Sequence, residues 1–267
     1  MRFKRMMVAT ALMIAIAGSP VMAQDAPHTV QYDKVRFSYP AWLATGLQIE
    51  PLEAIPFIED MMFAETYPEH IRISLLGYMD GSAYQLPYPL QTPQIHLYPT
   101  AAIDTFGYAF AEESATLATL LHERPDLNVY VGASVTSANQ HLPFLPWLNS
   151  AQILRSHARY LDNGIRYLTL YAQDADFISD RQLFYTFQGL TQSTDGDQYV
   201  AVMLPVKTGV LPEAIDTSDV DWDSFAVNYG EYLAATFEQI SHMPDDAFNP
   251  PLHTLDALVQ SIALAYP

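Results

Sequence analysis

Four aspartates near the C-terminal third of the chain form its densest group of side chains that could bind a metal ion. They are Asp216, Asp219, Asp221 and Asp223. The last three alternate as the opening carboxylates of a calcium loop do, but Ser224 stands at the glycine position and Gly230 at that of the closing glutamate. A helix N-terminus explains the group better, because carboxylates are favoured at the positive end of a helix dipole. Whether Asp219, Asp221 and Asp223 bind a cation stays open.

A second acidic group and three arginines have comparable explanations. Asp174, Asp176 and Asp180 lack a glycine turn and a closing glutamate, so their pattern predicts a solvated loop. Arg155 and Arg159, predicted one turn apart on a helix with Arg166 soon after, could clamp an anion. Since the chain has 30 acidic and 12 basic residues, internal ion pairs are the expected use of these arginines.

The sequence has no motif for nucleophilic, metal or nucleotide chemistry. It contains no cysteine, and Gly132-Ala133-Ser134-Val135-Thr136 lacks the second glycine of a hydrolase nucleophile elbow. It has neither a G-x-G-x-x-G motif nor a phosphate-binding P-loop. The histidines include no pair with the spacing of a zinc protease, and they are His28, His70, His96, His122, His141, His157, His242 and His253. We therefore assign no catalytic residue, metal ligand or cofactor site from the sequence.

Aromatic side chains are the remaining candidates for ligand contact. The chain has 17 tyrosines and 3 tryptophans, whose rings offer flat contact area with a polar handle. Most fall at core positions of predicted strands and helices. The expected exposed contacts lie in two proline-rich loops, 56–68 and 78–93, and are Tyr67, Tyr78, Tyr84 and Tyr88.

The N-terminal residues 1–23 have the three parts of a secretory signal peptide. Arg2, Lys4 and Arg5 precede an apolar run, and Ser19-Pro20-Val21-Met22-Ala23 ends in the small residues that signal peptidase prefers. The run is shorter than the roughly 20 apolar residues that span a bilayer. We expect export and cleavage after Ala23, leaving 24–267 as a single domain.

The predicted mature chain is strongly acidic. Cleavage would leave 244 of the 267 residues, with nine basic and 30 acidic side chains and a formal net charge of −21. Such a charge repels nucleic acids and anionic membranes, so we do not expect either as a partner. No later stretch is long and apolar enough to predict an integral membrane segment.

Hydrophobic periodicity predicts an α+β fold. Period-two patterns indicate strands at 35–39, 47–49, 71–75, 95–97, 165–172, 182–191 and 198–205, with an antiparallel hairpin at 193–197. Helical periods indicate helices at 103–124, 150–161, 222–240 and 255–262. Asn163-Gly164 has the composition of a left-handed helix cap. The expected architecture is a mainly antiparallel sheet covered by helices.

Two resemblances accompany these patterns. The segments Asn149-Ser150-Ala151-Gln152, Tyr160-Leu161-Asp162-Asn163-Gly164 and Leu183 to Thr191 are similar to an uncharacterised group of exported bacterial proteins of the Chloroflexi type. The strand Val35-Arg36-Phe37-Ser38-Tyr39-Pro40-Ala41-Trp42 and the closing helix through Ile262 resemble the fold shared by photosystem PsbP, Mog1 and LpqN-like proteins. The second resemblance implies an α/β/α sandwich, and members of that fold mostly bind or assemble rather than catalyse.

These observations favour a non-catalytic exported protein that binds a protein, a small molecule or a sugar outside the cytoplasm. An exported hydrolase acting on a cell-wall or polysaccharide substrate is the alternative, because paired carboxylates that meet only in the fold leave no sequence motif.

Overall fold

The structure, a computed structural model, describes residues 26–57, 66–80, 93–133, 141–146, 151–172, 175–191, 197–213 and 215–264. Its eleven strands within these ranges are β1 (His28–Tyr32), β2 (Val35–Tyr39), β3 (Gly46–Leu52), β4 (His70–Leu76), β5 (Gln94–Pro99), β6 (Gly132–Ala133), β7 (Ala151–Leu161), β8 (Gly164–Ala172), β9 (Leu183–Thr191), β10 (Gln198–Pro205) and β11 (Ala263–Leu264). The predicted signal peptide lies outside the described residues.

The strands form one large and one small sheet. The large sheet has the order β3-β4-β5-β10-β9-β8-β7-β6, and the small sheet has the order β1-β2-β11. All the strand pairs are antiparallel. β10 lies centrally and is buried on both faces, as its continuous apolar run predicts. The pairing of β9 with β10 confirms the predicted hairpin partners, although most of the turn, 192–196, lies outside the described residues.

The predicted helix over Ser150 to Leu161 is wrong, because Ala151–Leu161 is strand β7. Two register shifts interrupt its pairing with β8, one between Gln152 and Leu154 and one between Ser156 and Arg159. Each extra residue moves the inward and outward alternation by one position, which produced the helix-like spacing of apolar residues. His157, inside the second shift, has a left-handed φ of 53°.

Gly164 is not a helix cap either. It follows the two-residue turn at 162–163 and pairs with Gly189 of β9. A Cβ atom added at either glycine would collide with the Phe187 ring. The missing side chains therefore make room for that aromatic ring across the hairpin.

In the part of the chain that the structure describes, the five α-helices are α1 (Thr100–Phe106), α2 (Tyr108–Glu123), α3 (Trp222–Val227), α4 (Tyr229–Ser241) and α5 (Leu252–Gln260). Two of the predicted continuous helices are therefore divided in two. Gly107, with φ 71°, separates α1 from α2, and Asn228 separates α3 from α4. α2 ends where Arg124 adopts a left-handed φ of 47° before Pro125.

Helices lie on both faces of the large sheet. Neighbouring residues of one strand show this, since Tyr199 packs with α1 and α2 residues while Val200 packs with α4 and α5 residues. The small sheet packs Val35, Phe37 and Tyr39 into the same hydrophobic core cluster as Val200. The protein is an α+β protein, as the sequence predicts.

The proline-rich loops lie largely outside the described residues, and so do Tyr84 and Tyr88. Tyr78, predicted to be exposed, is instead buried in the main core. Its hydroxyl donates a hydrogen bond to the Pro205 carbonyl at 3.0 Å, which satisfies the buried polar group. Tyr67 is partly buried and meets the His70 ring edge-on at 5.0 Å. Among the described helices, none is long and apolar enough to cross a membrane.

Candidate binding surface

The acidic segment before α3 forms a helix N-terminus, as its composition favours. The Asp221 carboxylate accepts a hydrogen bond from the Ser224 backbone N–H at 3.2 Å and another from the Ser224 hydroxyl at 2.7 Å. Those two bonds lower the pKa of Asp221 below its ordinary value. The backbone N–H of Ser218 likewise lowers the pKa of Asp216, so both carboxylates are ionised at neutral pH.

The helix that Asp221 caps buries none of its residues. This is unusual for a sequence with a tryptophan, a phenylalanine and a valine in six positions. Trp222 is 45% exposed and Val227 is 84% exposed. Large apolar side chains that remain at the surface in a group mark interaction sites more often than isolated ones do.

Five rings form a continuous cluster at this place, and we call them the aromatic surface: Phe177, Trp222, Phe225, Tyr229 and Tyr232. The Phe177 and Phe225 rings stack with centroids 4.0 Å apart and an interplanar angle of 23°. Trp222 meets both of them edge-on, at 5.9 Å and 5.8 Å. Tyr232 also contacts Phe177 and Phe225, at 5.6 Å and 5.3 Å.

The aromatic surface is anchored from below. Tyr229 is buried against the main core, and Tyr232 packs against that core from a half-buried position. The Tyr232 hydroxyl accepts a hydrogen bond from the Ile178 backbone N–H at 2.7 Å, which fixes the loop that bears Phe177 to α4. Trp222 is the most exposed of the five rings, and it rests on partners whose positions are held by packing.

Negative charge surrounds this surface. Asp176 precedes Phe177, while Asp221 and Asp223 flank Trp222, and all three aspartates are exposed. Residues 208–267 contain no lysine or arginine but have ten acidic residues: Glu213, Asp216, Asp219, Asp221, Asp223, Glu231, Glu238, Asp245, Asp246 and Asp256. Four of the five rings therefore lie in the most negative part of the chain, and Phe177 lies before it, between Asp176 and Arg181.

Asp180 does not belong to a solvated loop, contrary to the prediction. It is 2% exposed, and its carboxylate accepts from the Thr208 N–H at 2.9 Å, the Thr208 hydroxyl at 2.6 Å and the Gly209 N–H at 2.9 Å. Asp176 is exposed as predicted, and Asp174 lies outside the described residues. The sequence did not distinguish Asp180 from its neighbours, because its partners lie 28 and 29 residues away.

The three arginines lie on strands and not on a helix. Arg155 donates to the backbone carbonyls of Tyr130 and Gln152. Arg166, whose side chain is 3% exposed, binds the Asp245 carboxylate at 2.6 Å and lies 3.5 Å from Asp256. Arg159 lies 3.7 Å from Asp245 and 4.0 Å from Asp256. The predicted ion pairing is thus confirmed for Arg159 and Arg166. The two contacts of Arg155 described here are hydrogen bonds to backbone carbonyls and not ion pairs.

Asp245 and Asp256 are the described carboxylates that come nearest to a hydrolase pair. Burial raises the pKa of Asp256, and the Tyr185 hydroxyl donates to its Oδ1 at 2.9 Å. Both carboxylates face Arg166, however, and neither lines the two cavities described below. The geometry is that of an ion-pair network joining β8 to α5.

The buried histidines form a second titratable group, on β4 and β5. His70 and His96 have ring centroids 5.1 Å apart, and Tyr98 stacks on His70 at 4.5 Å. Burial lowers the pKa of His70 to about 4 and that of His96 well below its ordinary value. Within the described ranges, no three His, Asp or Glu side chains come together as metal ligands would.

Two open cavities lie away from the aromatic surface. One, of about 270 Å³, lies at the ends of β3, β4 and β5 and is lined by residues that include Asp33, Glu69 and His70. The other, of about 630 Å³, lies between α2 and the β7–β8 turn. Neither includes a ring of the aromatic surface.

Comparison with known proteins found no matching family, no similar curated protein and no similar solved structure. The two resemblances described from the sequence therefore remain predictions.

Proposed function

We propose that this protein is exported and acts outside the cytoplasm by binding a partner, without catalysis. The observation that supports this most strongly is the surface position of α3. Trp222 on this helix is exposed to solvent and packs edge-on against the Phe177 and Phe225 rings. Tryptophan and tyrosine dominate the binding energy of protein contacts because they bury a large rigid area at small entropic cost. The signal-peptide pattern at residues 1–23 supports the location.

The alternative, an exported hydrolase, has one observation in its favour, the raised pKa of Asp256 near a second carboxylate. A glycosidase acid needs such a pKa. It also needs access to substrate, but Asp256 lines neither described cavity. Its Oδ1 already contacts Arg166 at 3.5 Å and Tyr185 at 2.9 Å, and its Oδ2 lies 4.0 Å from Arg159. Binding is accordingly the better account.

Binding and hydrolysis are separable in one set of assays. The protein recovered from an exporting host is tested for retention on immobilised peptides and polysaccharides, and for release of sugars from polysaccharide and peptidoglycan. We expect retention on at least one probe and no turnover. Trp222→Ala should weaken that retention more than about thirtyfold, the loss expected for an interface tryptophan.

Trp42→Ala is the matched control, because Trp42 is 51% exposed and lies outside the aromatic surface. Its retention should equal that of the unaltered protein. Turnover of a polysaccharide that disappears in a folded Asp256→Asn variant would instead establish the hydrolase.

A further inference from the structure

The aromatic surface has a shape that suits a macromolecule. Small-molecule sites are concave and enclose most of the ligand. Trp222 and Phe225 lie on α3, which buries none of its residues, and Trp222 is 45% exposed. Neither of the two described cavities includes a ring of the aromatic surface. A partly exposed apolar area of this kind is typical of contacts between polypeptides.

The negative charge beside the rings indicates which kind of polypeptide the aromatic surface favours. Asp176, Asp221 and Asp223 adjoin the rings along the chain, and Asp219 lies two residues before the Asp221 cap. Asp221 is engaged with Ser224, whereas Asp219 and Asp223 are exposed carboxylates on the same short segment. Since no lysine or arginine occurs after residue 207, this part of the chain has no strongly basic side chain of its own to neutralise them.

Aromatic rings and carboxylates favour the same kind of group. A lysine ammonium or arginine guanidinium is attracted to the face of a tryptophan or tyrosine ring, and exposed carboxylates add ion pairs at the rim. An acidic or neutral partner would gain only the apolar contact and, if acidic, would be repelled.

We infer that the aromatic surface binds a basic polypeptide segment, one that places lysine or arginine side chains against Trp222 and the neighbouring aspartates. This inference rests on the proposed function, because it specifies the partner of the same surface. The apolar part of the segment packs on Phe177, Phe225 and Trp222, and its cations lie over the rings and beside Asp219 and Asp223.

The test is calorimetric titration of the full exported protein with three synthetic peptides. One alternates lysine and leucine, a second replaces each lysine by glutamate, and a third replaces each lysine by serine. We expect binding of the lysine peptide only. Raising the salt from about 50 mM to about 500 mM should weaken it, because the Debye length then falls from over 10 Å to below 5 Å.

Two charge variants test the position of the contact. Asp219→Asn with Asp223→Asn should weaken the lysine peptide about three- to tenfold, as expected for two rim ion pairs. Asp104→Asn with Glu112→Gln removes equal charge from exposed positions of α1 and α2 and should leave binding unchanged. Equal weakening by both pairs would mean a response to net charge only and would overturn the inference.

The remaining outcomes separate this inference from the proposed function. The inference of a basic polypeptide would be overturned if the serine peptide bound as tightly as the lysine peptide. It would also be overturned if tetramethylammonium displaced the lysine peptide and bound with the same affinity as that peptide. If the lysine peptide fails but a polysaccharide binds in a Trp222-dependent manner, the inference is wrong and the proposed function stands. If no probe depends on Trp222, both are wrong.

Discussion

At the scale of single residues, the two buried histidines of β4 and β5 contribute to the response of the fold to acid. His70 donates through Nδ1 to the Pro68 carbonyl at 2.8 Å, and its ring is 6% exposed. Burial disfavours the protonated ring and lowers the pKa of His70 to about 4. The unfolded chain therefore takes up a proton at higher pH than the folded protein does.

The difference between the folded and unfolded pKa of His70 makes the free energy of unfolding depend on pH. Because the folded pKa is below the unfolded one, the free energy of unfolding falls as the pH falls from about 6.5 to about 4. A shift of this size corresponds to about 3 kcal/mol at its full extent. His70→Asn keeps a donor for the Pro68 carbonyl and removes the titration, so its stability should fall less between neutral and acidic pH.

Urea denaturation at about pH 7 and about pH 4.5 measures this difference. His242→Asn serves as the control, because that side chain is 77% exposed, and it should lose stability with acid as the unaltered protein does. An equal acid-induced loss in His70→Asn and in the unaltered protein would show that His70 does not couple folding to protonation.

At the scale of elements, the ion-pair network between β8 and the C-terminal helices separates a buried from an exposed arginine. Arg166 is 3% exposed and Arg159 is 56% exposed, yet both face Asp245 and Asp256. Removing one member of a buried pair costs about 3–5 kcal/mol, because it leaves an uncompensated charge. Removing an exposed partner costs about 1 kcal/mol or less.

Arg166→Met should therefore destabilise the fold several times more than Arg159→Met, as measured by the free energy of unfolding in urea. Methionine preserves much of the apolar stem in both variants, which makes them a matched pair. Similar losses in the two would mean that the network does not join β8 to α5 in the way that the distances indicate.

Some secondary-structure elements could be predicted from the sequence, and others could not. Strands with regular alternation, such as β2 and β4, could be predicted because their apolar side chains recur with a period of two. The central strand β10 could be predicted from its continuous apolar run, which is typical of a strand buried on both faces. β7 could not, because two bulges shifted its alternation and gave it helical spacing. The break at Asn228 was missed for a related reason: the apolar residues from Trp222 to Ile240 keep the helical period across it.

The candidate site was only partly within reach of the sequence. The helix N-terminus at the acidic segment could be predicted, because carboxylates are favoured at the positive end of a helix dipole. The helical period over 222–240 includes Trp222 and Phe225, but periodicity does not say whether another element covers that face of the helix. Phe177 lies 45 residues before Trp222, and only the fold brings the two together. The absence of lysine and arginine after residue 207 was the available signal, and it points to this end of the chain.

At the scale of the whole molecule, charge and shape act together. The formal net charge is −18 for the full chain, and all 12 lysines and arginines lie in the first 207 residues. Approach of a basic polypeptide is thereby favoured at long range, before the aromatic contact forms. Contact between the peptide and the aromatic surface can be measured with a fluorophore that the chain already contains.

The chain has three tryptophans, Trp42, Trp147 and Trp222, so Trp42→Phe with Trp147→Phe leaves Trp222 as the single emitter. The measurement is its emission during titration with the lysine and leucine peptide. Because Trp222 is 45% exposed in the free protein, we predict a shift to shorter wavelength that saturates at the calorimetric stoichiometry. An unchanged Trp222 spectrum while the calorimeter reports saturable binding would place the contact elsewhere and contradict the account.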